Sequence, residues 1–347
     1  MRSDRRGCSI VEFERRGHHG RRATRDSPDH VVRHGPDHHD HHDHHDTDAG
    51  RRVRPAHGEP VDAATLARLA RPPLALKIDN HPAAMPQAGL NQADVVFEIA
   101  VEGVSRFLSV YHSTDANPVG PVRSARHSDP PILALLGTPL FGWSGANDDV
   151  ARDVYGSSWI TDVNWDRVAR SAYRRRSVHR APHNLYTGTS ALFAYARTTQ
   201  RGASPLFGVM AASEANAGEV PLGRVRLSVG GTTSSWEWAP AAEPGAGRYL
   251  RSQYGRRHLL EGGDQVSAAN VVILEIRYSG TRTNPTAITQ GSGRALVLSG
   301  GKAIEGRWSR PNQLLGLSLT GPTGQPIMLR PGRTWVELTR GHTFVAA

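Results

Sequence analysis

The chain has 347 residues, 42 basic and 32 acidic, for a formal net charge of +10 and a mean hydropathy of -0.46. Of the basic residues 40 are Arg and two, Lys77 and Lys302, are Lys; a single cysteine, Cys8, excludes an internal disulfide. No run approaches the roughly 18 consecutive apolar residues of a membrane helix. No zinc-finger, ribonucleoprotein, dinucleotide or P-loop pattern is present, so no metal or cofactor is expected.

Residues 36–50 read PDHHDHHDHHDTDAG. Too few apolar side chains stand in residues 1–57 to offset chain entropy, so this stretch is expected to lack a core of its own. Two readings stay open. Read literally, the imidazoles would pick up divalent metal loosely, without a fold to shape a tetrahedral site. Alternatively, in a GC-rich gene His-His-Asp is CAC CAC GAC, which one base later reads Thr-Thr-Thr. The segment is then a mis-framed secretory leader and Thr/Pro linker. As written, MRSDRRG before Cys8 is charged and forms no lipidation signal.

The globular part begins near Gly58. DAATLARLA has helical spacing, PLALKID reads as a buried strand, and HPAAMPQAGLNQ as a loop punctuated by Pro and Gly. ADVVFEIAVEG and SRFLSVYHS read as two strands, DPPILALLG as a helix with proline in its first turn, and PLFGWSG as a strand. NDDVARDVYG predicts a capped helix and SALFAYART another. Beyond Ser204-Pro205 come short β-branched and aromatic runs bounded by Gly, Pro or Asn. They include TSSWEWAP, AANVVILEIRYS and RTWVELT, the pattern of an antiparallel β module. Trp236, Trp238, Trp308 and Trp335 fall in these runs and are expected to pack its core. The fold class is therefore α+β: a mixed α/β layered domain over 58–203 and a smaller β-rich domain over 204–347.

Several of these stretches, LALKIDNHPAAMPQAGLNQADVVFEIAVEGVSRFLSVYHS, GPVRSAR and RAPHNLYT, together with SQYG, AANVV, GRW and GRTWVEL, occur in order along residues 58–340. In them the chain resembles the YerB-like bacterial lipoproteins, the DUF3048 family. The resemblance implies the two-domain layout above. It also implies an exported protein tethered by a lipidated cysteine behind a low-complexity linker, and it supplies no mechanism. The N-terminus departs from that pattern, having no leader as written, so extracytoplasmic placement goes with the mis-framed reading and a cytoplasmic one with the literal text.

The candidate site rests on the residues. Asp79 and Asn80 end a predicted strand, where ligands often bind in α/β folds; as Asx residues they also suit a turn cap. Glu98 and Glu102, four apart, would share one face of a strand, with Arg106 at the same parity. GPVRSAR sets Arg123 and Arg126 around Ser124, an anion cradle of guanidiniums and a hydroxyl. RAPHN adds Arg180, His183 and Asn184, with His183 the acid-base candidate. The same charges would equally serve as a structural ion-pair network.

Residues 51–347 carry 33 basic against 22 acidic side chains, which favours an anionic partner such as a phosphorylated envelope polymer. The leading expectation is an envelope protein binding an anionic ligand in an Arg-lined polar cleft. The alternatives are an envelope hydrolase or transferase using Asp79, Glu98, Glu102 and His183, and a cytosolic nucleic-acid-associated protein.

Overall fold

The computed structural model describes residues 62–340, apart from 198, 201–205, 211–213, 243–246 and 314, and the backbone of Phe344–Ala346. The expected leader, the His-Asp tract and Cys8 lie outside the described residues.

Asp62 caps α1 (Ala63–Leu69), its Oδ1 accepting from Thr65 N at 2.7 Å. The three following strands, β1 (Leu74–Asp79), β2 (Val95–Ala100) and β3 (Ser105–Tyr111), are buried along their whole lengths. Burial on both faces explains their near-continuous apolar runs. β1 and β2 each pair antiparallel with β3, and the register sets Asp79 opposite Arg106. α2 (Asp129–Leu133) carries its prolines in the first turn, as predicted. β4 (Leu140–Gly142) runs parallel to β1. Asn147 occupies the N-cap of α3 (Asp148–Gly156) without a side-chain bond, so the predicted cap is positional only. β5 (Thr161–Asp162), β6 (Tyr173–Arg175), β7 (Leu185–Thr187) and α4 (Thr189–Phe193) complete this part.

The later strands do not form an isolated sheet. From edge to edge the main sheet runs Ser318–Thr320, Lys302–Arg310, Gly291–Ser299, Asn270–Thr281, Thr334–Arg340, β2, β3, β1, β4, β5. Thr334–Arg340 sits at its centre, parallel both to Asn270–Thr281 and to β2. A second, antiparallel sheet runs Arg256–Arg257, Arg248–Gln253, Thr232–Ala239, Arg224–Val229, Phe344–Ala346. A mixed main sheet with short helices and a separate antiparallel sheet is the α+β class expected.

Two hydrophobic cores lie on opposite faces of the main sheet. Leu76, Ile78, Val96 and Phe107 join Trp236, Trp335 and Tyr249 in the core shared with the second sheet. Ala75, Phe97, Leu108 and Val110 join Ile132, Trp143 and Trp308 in the other. Trp236 and Trp335 meet edge to face at 5.3 Å, a packing role like that expected of them.

Candidate functional site

β1 ends at Asp79, and the chain from Val119 to Arg123 threads between that end and β7. Asp79 N donates to Pro121 O, Arg123 N to Lys77 O, and Val122 N to Leu185 O. This three-way contact brings residues 79, 123 and 183 together from distant parts of the sequence. Asp79 is their hub, with its side chain 3% exposed. Its Oδ2 accepts from Arg123 Nε at 3.0 Å and from His183 Nδ1 at 2.7 Å, while Oδ1 accepts from His81 N at 3.0 Å. A carboxylate only accepts, so His183 carries its proton on Nδ1 and presents Nε2 as a base. The His81 ring stacks on His183 with centroids 4.8 Å apart. Its Nδ1 accepts from Ala83 N at 3.1 Å, which in the neutral ring leaves the proton on Nε2.

A second group of charges adjoins this hub. Glu102 bridges Arg106, at 3.5 Å, and Arg126. Partial burial works against the ionised form of Glu102, but the two guanidiniums outweigh it and hold its carboxyl below the ordinary range. Burial, reinforced by the charge of Arg126, pushes Arg106 down to about 10. Arg106 NH1 donates to Ser124 O at 3.1 Å. Beneath them Lys77 Nζ donates to Asp129 Oδ1 at 2.6 Å, both side chains fully buried. Burial lowers the Lys77 ammonium, and Asp129 opposes that shift.

The expected carboxylate group is divided by the sheet. Side chains alternate along β2, so Glu98 points to the face opposite Asp79. There it is fully buried, accepting from Arg251 NH2 at 2.7 Å and from Ser105 Oγ at 2.6 Å. Glu102 does not share its face, because β2 stops at Ala100 and the chain turns through Gly103 at φ +71°. Asn80, one residue beyond Asp79, also belongs to the opposite side. It is buried, its amide nitrogen donating to Ser105 Oγ and its Oδ1 accepting from Gln253 and Gln87. His258 completes that network: Nδ1 accepts from Arg251 NH1 and Nε2 donates to Gln87 Oε1, and burial with the Arg251 charge keeps it neutral. Glu98 and Asn80 therefore hold the two sheets together and do not face the Asp79 hub.

The remaining candidates are local. Arg180 is exposed, and its carbonyl accepts from His183 N at 2.9 Å, closing the turn that carries the imidazole. Asn184 Oδ1 accepts from Arg175 NH1 at 2.7 Å, within the β6–β7 hairpin. Of the proposed cradle, Arg126 is tied to Glu102, as is the neighbouring Arg106, and Arg123 alone bonds the Asp79 carboxylate.

Comparison with known families decides the chain's relationship. Residues 58–204 match the family described as Protein of unknown function (DUF3048) N-terminal domain, and residues 224–336 match its C-terminal domain. The chain belongs to the DUF3048 family. A relative named "Putative lipoprotein YerB", from Bacillus subtilis (strain 168), is 29% identical over 283 residues, covering 77% of this chain and 81% of its own length. The crystal structure of YerB protein from Bacillus subtilis superposes with a TM-score of 0.67 at 24% identity, over 82% of this chain and 96% of that one, and so shares its fold.

Two features of this DUF3048 chain escaped the reading of its sequence. His81 stands in the stretch that its prolines and glycine mark as a loop, and a His two residues after a strand-ending Asp is the signal that points to it. The Lys77–Asp129 pair, 52 residues apart, left none, since alternation predicts which face Lys77 takes but not its partner.

Proposed function

We propose that this chain is an extracytoplasmic lipoprotein that binds an anionic group of a cell-envelope ligand beside Arg123, His81 and His183. The envelope placement takes its support from the lipoprotein name of the Bacillus relative. One observation carries the binding reading: a single buried carboxylate, Asp79, engages Arg123 through Nε and His183 through Nδ1. Arg123 keeps its NH1 and NH2 edge for the anion, and His183 keeps Nε2, which donates to the anion when the ring carries both protons. A guanidinium edge takes phosphate or carboxylate in two parallel bonds. Titrating the full chain with inorganic phosphate and with acetate is the test. Arg123→Ala and His183→Ala should each weaken binding at least tenfold; undiminished affinity in both would overturn the site.

The stacked imidazoles favour a second reading, acid-base catalysis. His183 Nε2 is the proton acceptor, aligned by Asp79, and His81 offers an Nε2 proton beside it. Arg123 would steady negative charge developing on an ester or phosphodiester. Turnover of a chromogenic phosphodiester or ester that disappears in His183→Ala and His81→Ala supports it; turnover surviving both variants removes it.

A further inference from the structure

The second sheet has one face in the core and one in solvent. Along its strands Val225, Leu227, Trp236 and Tyr249 point inward and are buried. The period of two then sends Arg226, Ser235 and Ser252 outward. Cross-strand pairing lines these up: Arg226 is opposite Ser235, Ser235 opposite Ser252, and Ser252 opposite Arg257. With neighbouring strands about 4.8 Å apart, this row of two guanidiniums and two hydroxyls spans about 14 Å. Arg226 and Arg257 are exposed, and Arg257 Nε is steadied by Gln265 Oε1 at 2.8 Å. In the next row Arg224 lies opposite Glu237, the only carboxylate on these four strands, at 3.7 Å. An open groove of about 570 Å³ lies along Arg224, Arg226, Ser228, Thr233 and Ser235.

We propose that this face is a binding track for an extended, phosphate-bearing polymer. It shares no residue with the Asp79 hub and stands independently of the reading given for that site. Solvent-exposed charge pairs are weak, so separated guanidiniums hold a compact anion poorly. A polymer that places several phosphates along the row adds the contacts together and releases counterions at each. The hydroxyls between the arginines supply further donors to phosphate oxygens. The row has no aromatic ring for base stacking, which disfavours single-stranded nucleic acid. Among the described side chains of these four strands the outward ones are Arg, Ser, Thr and Glu, with Leu250 and Ala239 half-buried, little of the apolar area with which interfacial elements enter a bilayer.

Linear inorganic polyphosphate is the probe, titrated against the full chain at two salt concentrations. The Arg226→Ala/Arg257→Ala variant should raise Kd at least tenfold and reduce the salt slope by about 2, near 0.9 per lost phosphate contact. A charge-matched control, Arg152→Ala/Arg174→Ala, removes two exposed arginines elsewhere and should change Kd less than twofold. In the same Arg226→Ala/Arg257→Ala variant the affinity for inorganic phosphate at the Asp79 hub should be unchanged, which separates this track from the hub. Equal losses in the control would reduce the effect to net charge and overturn the proposal, as would failure to bind polyphosphate. Arg226- and Arg257-dependent capture by phosphatidylglycerol vesicles, or by a DNA oligonucleotide, in place of polyphosphate would assign the face to membrane or nucleic acid instead.

Discussion

His183 Nδ1 lies 2.7 Å from Asp79 Oδ2, joining residues 104 positions apart. The same oxygen receives Arg123 Nε, so one buried carboxylate sets the attitude of two cationic or basic side chains. Asp79→Asn keeps the shape and removes the charge. The variant should lose about 1–3 kcal/mol of stability in urea denaturation, the cost of leaving polar partners poorly satisfied. Imidazole nitrogen shifts in NMR should show His183 leaving the Nδ1-protonated tautomer; an unchanged tautomer would mean that Asp79 does not orient it.

Glu98 predicts the opposite separation of effects. Glu98→Ala strands Arg251 without its counter-charge in a site of zero exposure. Breaking such a pair costs about 3–5 kcal/mol, whereas replacing both members by apolar residues is far milder. Chemical denaturation should therefore rank Glu98→Ala below Glu98→Leu/Arg251→Met. Phosphate affinity at the Asp79 hub should be the same in every variant that folds, and a selective loss there would restore Glu98 to the site.

Glu337 introduces a pH dependence of its own. Burial raises its carboxyl well above the ordinary 4.5, and the nearby charge of Glu98 adds to the shift. The folded protein then holds a proton that the unfolded chain releases. The resulting stability is present below pH 4.5 and is lost as pH rises toward the shifted value, by at most about 1.4 kcal/mol per pH unit. Glu337→Gln keeps the acceptor for Trp236 Nε1, now at 2.8 Å, and should flatten this slope. A stability profile identical to wild type would remove Glu337 as its source.

His127 acts in a higher window. Partial burial works against its protonation, but bonds to Asp153 at 2.6 Å and Asp149 at 3.1 Å outweigh it and raise the imidazole above 6.5. This clamp between the loop before α2 and the start of α3 is intact below pH 6.5 and is lost as pH rises through the raised value. A histidine NMR titration should place His127 above 6.5, and Asp149→Asn/Asp153→Asn should bring it back down.

The strands of the main sheet were legible because burial on both faces writes a continuous apolar run, and β1, β2 and β3 fall where LALKID, VVFEIA and SRFLSVY stand. The loop arginines and His183 were legible as chemistry, since their residue types already carry charge and proton affinity. Their association was not, because it depends on the Val119–Arg123 segment pairing with both β1 and β7. Nor was the placement of Glu98, whose spacing from Glu102 suggests a shared face although the strand ends at Ala100, before Glu102. Local composition by itself determined the class of each element and the basic character of the chain, because propensity and alternation act within a few residues. Only the tertiary structure decided that Thr334–Arg340 joins the two halves of one sheet, that Asp79 meets His183 and Arg123, and that Glu98 lies behind them. Those choices are made by hydrogen-bond register and burial between segments that are remote in sequence, where the spacing of residues carries no record of the partner.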